Sequence, residues 1–120
     1  PDDVAPLEGM GVDAAWVSNH AGRQFAGSPG AIDMLPAIRA STNLPLIFDS
    51  GIEGGLDILR ALALGADFVM LGRAWHYALG AIGNEGPKHL YDMLMDDLNS
   101  NMIQIAATKL DELHNLLHKN

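Results

Sequence analysis

The chain has 120 residues, of which 48% are hydrophobic and 18% are charged, and it contains no cysteine. This composition is typical of a single folded domain and excludes long disorder, a disulfide framework and cysteine-based metal sites. The 15 acidic and 7 basic residues give a formal net charge of -8, which repels phosphate backbones and excludes nucleic acid as an expected partner.

The first third of the chain predicts a helix, a strand and a second helix. Acidic residues at its start and glycines at its end predict a helix over residues 2–10. The apolar run at 14–17 predicts a buried strand, and a polar loop over 18–30 precedes a helix expected over 31–40. Because the chain opens inside an element rather than with a leader, we expect a piece of a longer protein.

The middle of the chain predicts two further units of strand followed by helix. Residues 44–48 form a continuous apolar run, typical of a strand covered on both faces, with Pro45 confined to its first residues. A helix is expected over 56–64, and residues 68–71 predict a third buried strand. This order of elements predicts an α/β fold with parallel strands.

The C-terminal third predicts mostly helix. We expect a short helix over 74–81, a turn over 83–87, a long amphipathic helix over 88–106 and a last helical segment over 110–117. Four apolar residues recur at spacing four in the long helix and predict one buried face: Leu90, Leu94, Leu98 and Met102. His114 and His118 are also four residues apart, but no third ligand accompanies them, so no metal site is expected.

A polar or glycine-bearing turn follows each predicted strand. Because the C-terminal ends of parallel strands share one face in β/α architectures, His20, Arg23 and Asp49 should meet Arg73 in one site. An imidazole and a guanidinium three residues apart suit a base and an anion clamp. The two later turns suit a phosphate cradle, because a helix that begins near Gly54 would point its positive end at the anion and Arg73 adds a full charge.

Four stretches of this sequence resemble the FMN-dependent α-hydroxy-acid dehydrogenases and oxidases, a family that includes L-lactate dehydrogenase, glycolate oxidase and mandelate dehydrogenase. They are Ser-Asn-His-Ala-Gly-Arg-Gln at 18–24, Asp-Ser-Gly-Ile at 49–52, Ala-Leu-Ala-Leu-Gly-Ala-Asp at 61–67 and Leu-Gly-Arg at 71–73. The resemblance implies that residues 1–120 are the last three β/α units of a TIM (β/α)8 barrel, without a second domain. It also implies FMN as cofactor and a small 2-hydroxy acid as substrate.

The resemblance implies roles for single residues. His20 corresponds to the catalytic histidine, which removes a proton when the substrate is oxidised, and Arg23 corresponds to the arginine that holds the substrate carboxylate. The implied flavin contacts are Asp49, Ser50, Gly51, Gly54, Gly72 and Arg73. Two positions depart from the family pattern, since Glu53 stands where many members have arginine and Ala26 where most have aspartate.

The family's flavin-contacting lysine, its substrate-contacting tyrosines and the aspartate that orients the histidine would all precede Pro1. The upstream part of the same barrel, or further copies of the chain, are therefore the expected partners. Two alternatives stay open: a non-catalytic partial-barrel fragment, and another phosphate-binding barrel enzyme that works without flavin. We expect a cytoplasmic location, with membrane association if the enzyme passes electrons to quinones.

Overall fold

A parallel sheet of three strands organises the fold in the computed structural model, which describes residues 1–117. The strands lie in the order β1-β2-β3 and are β1 (Ala15–Val17), β2 (Leu46–Phe48) and β3 (Phe68–Val69). Trp16 pairs with Ile47, and Ile47 pairs with Phe68, so these three side chains share one face of the sheet. The predicted parallel α/β order is confirmed, while His118 lies outside the described residues.

Helices separate the strands and follow the last of them. The α-helices are α1 (Ala31–Arg39), α2 (Gly55–Ala63), α3 (Arg73–Ile82) and α4 (Gly86–Gln104). The 3₁₀ helices are Ala5–Met10, His20–Gly22, Gly83–Glu85 and Leu110–Leu116. In the part of the chain that is described, no helix is both long enough and apolar enough to cross a membrane.

Two of the predicted elements differ in kind from the observed ones. The N-terminal segment is a 3₁₀ helix that begins only at Ala5. A proline is tolerated best in the first turn of a helix, which favours this start, and the left-handed Gly11 ends the helix after Met10. The turn predicted over 83–87 is a 3₁₀ helix, and α4 already begins at Gly86. Pro36 stays inside α1 without ending it.

One face of the sheet packs against α1 and α2 and forms the main core. The β1 and β2 side chains on this face are buried and join Leu35 of α1, which is fully buried. They are Ala15, Val17, Leu46 and Phe48. Their alternation with more exposed neighbours has the period of two that a half-buried strand requires.

The opposite face of the sheet is open, and the prediction that the third strand is buried is wrong. Trp16 is 59% exposed and Phe68 is 62% exposed, and Met70 just beyond β3 is also exposed. The cause is that no element among residues 1–117 forms a layer over this face. A continuous apolar run therefore has only one of its two faces covered in this chain.

A second core lies between α2, α4 and the 3₁₀ helix Leu110–Leu116. Leu94, Leu98 and Met102 of α4 are buried, as their spacing predicts, whereas Leu90 is only half-buried. The backbones of α2 and α4 are in close contact at Gly55, where an added Cβ would lie 2.1 Å from the backbone nitrogen of Leu98. No larger residue fits at that position without displacing α4.

The N-terminus of α2 is capped by a carboxylate from α4. Asp97 Oδ2 accepts hydrogen bonds from the backbone N–H groups of Gly55, at 2.6 Å, and Leu56, at 3.3 Å. No residue next to α2 in sequence caps it through a side chain. A negative charge at this position satisfies two free donors and also complements the helix dipole.

Removal of this cap should destabilise the fold. We expect Asp97→Ala to lower the free energy of unfolding by about 1–2 kcal/mol, because two N–H groups at the α2 N-terminus lose their acceptor. Urea unfolding of the chain measures the effect. The matched control is Asp96→Ala on the neighbouring exposed side chain, expected within about 0.5 kcal/mol of the parent. Equal effects of the two substitutions would contradict the role of Asp97.

Glu8 ties the N-terminal 3₁₀ helix to the loop that follows α1. Its Oε1 accepts hydrogen bonds from the Asn43 backbone N–H at 2.5 Å and from Thr42 Oγ1 at 2.8 Å. These two bonds, the one from Asn43 first, hold the pKa of the Glu8 carboxyl below its usual value of 4.5.

This lowered pKa makes the contribution of Glu8 depend on pH. A carboxyl whose pKa is lower in the folded chain than in the unfolded chain stabilises the fold above the unfolded value, and the contribution disappears as pH falls through the folded value. We therefore expect the difference in stability between the parent and Glu8→Gln to be largest at neutral pH and to shrink below pH 4.5. Thermal unfolding between pH 7 and pH 3 measures it, with Glu85→Gln as an exposed control. A difference that grows in acid would contradict the assignment.

Candidate functional site

The turns that follow β1, β2 and β3 open onto one cavity of about 730 Å³. Seven of the predicted site residues line it: His20, Arg23, Asp49, Ser50, Gly51, Gly72 and Arg73. The structure thus brings together three turns that are up to about fifty residues apart in sequence. Gly54 is the exception, because it does not line this cavity.

The turn that carries His20 has an unusual backbone. His20 and Ala21 have φ angles of 53° and 56°, in the left-handed region that costs a residue with a side chain about 1 kcal/mol or more. The His20 N–H donates to Ser18 Oγ at 3.2 Å, and the Ala21 N–H donates to Ser50 Oγ at 3.2 Å. The result is a short 3₁₀ turn that leaves the His20 side chain exposed at the cavity.

No side chain among residues 1–117 fixes the orientation of the His20 imidazole ring through a hydrogen bond. Within residues 1–117, no carboxylate forms a hydrogen bond or an ion pair with the ring. A histidine that acts as a base needs such a partner to fix its tautomer and direction. The base is therefore present and accessible, while the group that would orient it is not among the described residues.

Two arginines at the cavity have no partner for their charge among residues 1–117. Arg39 and Arg60 form ion pairs with aspartates, but neither Arg23 nor Arg73 forms an ion pair or side-chain hydrogen bond in the described part of the chain. Both guanidinium groups are exposed and line the same cavity. Two guanidinium groups without a partner in the part of the chain that the structure describes provide sites for two anionic groups such as a carboxylate and a phosphate, although the chain has a net charge of -8.

Glycines and a helix start lie beside Arg73. Gly51 has a φ angle of 85°, and a Cβ added at Gly51 or Gly72 would meet nothing within 4 Å. The backbone of both turns is therefore open to a group that approaches from the cavity. Arg73 is the first residue of α3, so the positive end of that helix points to the same region. Backbone, helix dipole and guanidinium together fit the phosphate of FMN.

The N-terminus of α2 does not take part in this cradle. Its first N–H groups already donate to Asp97, and a Cβ at Gly54 would lie 3.2 Å from the same carboxylate. The expectation that the helix near Gly54 points its positive end at this site is therefore wrong, and α3 is the helix that begins at the cavity. A carboxylate that comes from α4, more than forty residues later in the sequence, could not be seen in the local pattern.

The cavity also contains negative charge and two side chains that the sequence patterns did not single out for it. Of the two departures from the family pattern, Glu53 lines the cavity and Ala26 does not. His76 and Tyr77 of α3 line it as well, and His76 Nδ1 lies 3.2 Å from the Gly72 carbonyl oxygen. Their positions, three and four residues after Arg73 on one helix, are the signal that could have identified them.

Comparison with known proteins adds independent information. The model of the FMN-dependent dehydrogenase family matches residues 1–119. An L-lactate oxidase from Alicycliphilus denitrificans is 39% identical over 115 residues, which are 94% of this chain and 32% of that protein. An L-lactate oxidase from Lacticaseibacillus rhamnosus is 45% identical over 101 residues, which are 82% of this chain and 27% of that protein.

Solved structures agree with the sequence relatives. An active mutant of (S)-mandelate dehydrogenase superposes with a TM-score of 0.89 at 36% identity, over 93% of this chain and 32% of that one. A mandelate oxidase mutant with a monooxide FMN adduct superposes with a TM-score of 0.88 at 32% identity, over 93% of this chain and 36% of that one. The chain spans about a third of the length of these relatives. Since the family model matches it from the first residue to the last but one, the chain belongs to the family of FMN-dependent dehydrogenases.

Proposed function

We propose that this chain carries the proton-accepting and anion-binding part of an enzyme that uses FMN to oxidise a 2-hydroxy acid to a 2-oxo acid. The observation that carries the proposal is that His20, Arg23 and Arg73 surround one cavity, with both guanidinium groups free of partners in the described residues. Relatives named L-lactate oxidase and mandelate dehydrogenase support a small 2-hydroxy acid as the substrate class. A cytoplasmic location is part of the proposal, with membrane association if quinones accept the electrons.

At the substrate end of the cavity, this chain supplies a clamp and a base. Arg23 presents two parallel N–H donors to the substrate carboxylate, which fixes the position of the neighbouring carbon. Imidazole accepts a proton more readily near neutral pH than any other side chain, so His20 takes a proton from the substrate as it is oxidised. Bound FMN supplies the two-electron acceptor.

Arg73 and the backbone of Gly51 and Gly72 would hold the flavin phosphate at the start of α3. This placement keeps the phosphate and the substrate carboxylate on separate guanidinium groups. Glu53 lines the same cavity, so its carboxylate opposes the phosphate charge and weakens the binding that Arg73 provides. Asp49 adds a second carboxylate, but its oxygens accept hydrogen bonds from Trp16 and Ser50.

The chain takes the place of the last three β/α units of a TIM (β/α)8 barrel in this proposal, as one domain over residues 1–120. Three parallel strands separated by helices support it. The exposed Trp16 and Phe68 side chains lie on the sheet face that a closed barrel would fill with side chains from other strands. An upstream part of the same barrel, or copies of this chain, would supply those strands.

A second candidate function is a non-catalytic partial barrel. The open sheet face favours it. So does the finding that, within the described residues, no carboxylate forms a hydrogen bond with the His20 ring. On this hypothesis the isolated 120-residue chain neither binds FMN tightly nor oxidises a 2-hydroxy acid. On either hypothesis we expect that isolated chain to be inactive.

Substitution of the proposed base tests the proposed function in the complete enzyme. We expect His20→Asn to lower kcat about 100- to 10,000-fold, because asparagine cannot accept the proton. Asparagine is chosen because it tolerates the left-handed backbone of residue 20. Anaerobic bleaching of the flavin absorbance by lactate, glycolate or mandelate measures the rate. His89→Asn, on the exposed surface of α4, is the control. Undiminished flavin bleaching in His20→Asn would contradict the role of His20 as the base.

The two arginines should separate substrate affinity from cofactor affinity. We expect Arg23→Gln to raise KM for the 2-hydroxy acid about 10- to 100-fold with little change in the FMN dissociation constant. Arg73→Gln should raise the FMN dissociation constant by a similar factor, with little change in KM for the 2-hydroxy acid. Steady-state kinetics and fluorescence titration with FMN measure the two constants, and each variant is the control for the other. If both variants changed the same constant, the two-anion arrangement would be refuted.

A further inference from the structure

The hydroxyl of Ser50 holds the backbone on both sides of His20. Ser50 Oγ accepts hydrogen bonds from the N–H of Asn19 at 3.3 Å and from the N–H of Ala21 at 3.2 Å. The N–H of His20 itself is held by Ser18 Oγ at 3.2 Å. The turn that carries the imidazole is therefore attached to the β2 turn through one side-chain oxygen.

Asp49 fixes the direction of that hydroxyl. Ser50 Oγ donates to Asp49 Oδ1 at 2.7 Å, and Trp16 Nε1 donates to Asp49 Oδ2 at 3.2 Å. A serine hydroxyl has one hydrogen to donate and two lone pairs to accept with, and here all three are used. Since an ionised carboxylate only accepts, the hydroxyl hydrogen must point to Asp49 and the lone pairs must face the turn of His20.

The backbone of residue 50 shows that the hydroxyl, rather than the chain geometry, accounts for a serine here. Ser50 has a φ angle of 85°, which glycine adopts freely and a residue with a side chain adopts only under strain. Glycine would therefore suit this backbone better. The strain is offset by the three hydrogen bonds of the hydroxyl, which link the turn of His20 to the β2 turn.

We propose that Ser50, oriented by Asp49, is a positioning residue that sets where the imidazole of His20 stands over the cavity. The inference rests on the proposed function, because Ser50 acts only through the role that was proposed for His20. The proposal also explains how a carboxylate can lie beside an anion site. Both oxygens of Asp49 accept hydrogen bonds from donors of the chain, so neither needs to approach the phosphate. The resemblance alone implies flavin contacts for both residues.

The sharpest variant is Ser50→Gly in the complete enzyme, because it removes the hydroxyl while the relief of the strained φ angle offsets part of the stability lost with its hydrogen bonds. A displacement of the reacting groups by about 1 Å costs on the order of 100-fold in rate. We expect flavin reduction at saturating 2-hydroxy acid to slow about 10- to 100-fold, with KM and the FMN dissociation constant within about threefold of the parent. The kinetic isotope effect of α-deuterated substrate on kcat should rise, because the chemical step becomes limiting.

The matched control is Ser28→Gly. Ser28 lies in the same loop as His20, and its hydroxyl donates to the Phe25 carbonyl oxygen at 2.9 Å, away from the cavity. The same substitution there should leave the rate of flavin reduction within about twofold of the parent. An equal loss of rate in both variants would overturn the proposal, since a general loosening of the loop would explain it.

A second measurement does not depend on activity. In the flavin-free chain, the amides of Asn19 and Ala21 should exchange with solvent about 5- to 10-fold faster in Ser50→Gly, as expected when one hydrogen bond is lost. The amide of Ala15, which bonds to the Pro45 carbonyl oxygen, should be unchanged. Hydrogen exchange followed by NMR gives both rates.

The outcomes separate this proposal from the proposed function. Parent-like flavin reduction and amide exchange in Ser50→Gly would overturn the positioning role and leave hydroxy-acid oxidation intact. Loss of FMN binding with a normal rate in the flavin-loaded fraction would also overturn it, because Ser50 would then be a flavin contact. If the parent enzyme reduced its flavin with no 2-hydroxy acid, the proposed function itself would fail, whatever the exchange rates showed.

Discussion

The parallel register of the three strands is the constraint on which the site depends. The ladder continues past the strands into the turns, where the Asp49 N–H donates to the Val17 carbonyl oxygen at 3.1 Å and the Met70 N–H donates to the Phe48 carbonyl oxygen at 2.8 Å. These bonds bring the ends of all three strands to the same height. A slip of one residue would turn each strand's buried side chains to the open face and separate the turns.

The fold supports this register from one side only. α1 and α2 cover one face of the sheet, and α2 is held in turn by α4 through the close approach at Gly55 and the carboxylate of Asp97. The other face leaves Trp16 and Phe68 exposed. The helical layer therefore lies behind the strands that carry the site, while the exposed face is the one that a closed barrel would fill with side chains from its other strands.

Charge is distributed unevenly around the cavity. The chain has a net charge of -8, yet the two guanidinium groups without partners in its described part, Arg23 and Arg73, line one cavity. The positive start of α3 adds to them, whereas the start of α2 is occupied by Asp97. An anion is thus attracted to one edge of the sheet. Within that edge, Asp49 is engaged by two donors and Glu53 is the carboxylate that opposes binding.

Local sequence patterns were enough to predict the strand-helix order, the parallel sheet and the meeting of the turns of His20, Asp49 and Arg73, because hydrophobic period and turn chemistry are local properties. The resemblance of the sequence to a family pointed to FMN and a 2-hydroxy acid. Three features emerge only from the packed chain: Phe68 of the third strand is exposed, Asp97 rather than a phosphate occupies the start of α2, and Ser50 holds the turn of His20. The contacts of Asp97 and Ser50 join residues about thirty or more positions apart, and the exposure of Phe68 depends on which elements pack over the sheet. A local pattern encodes neither.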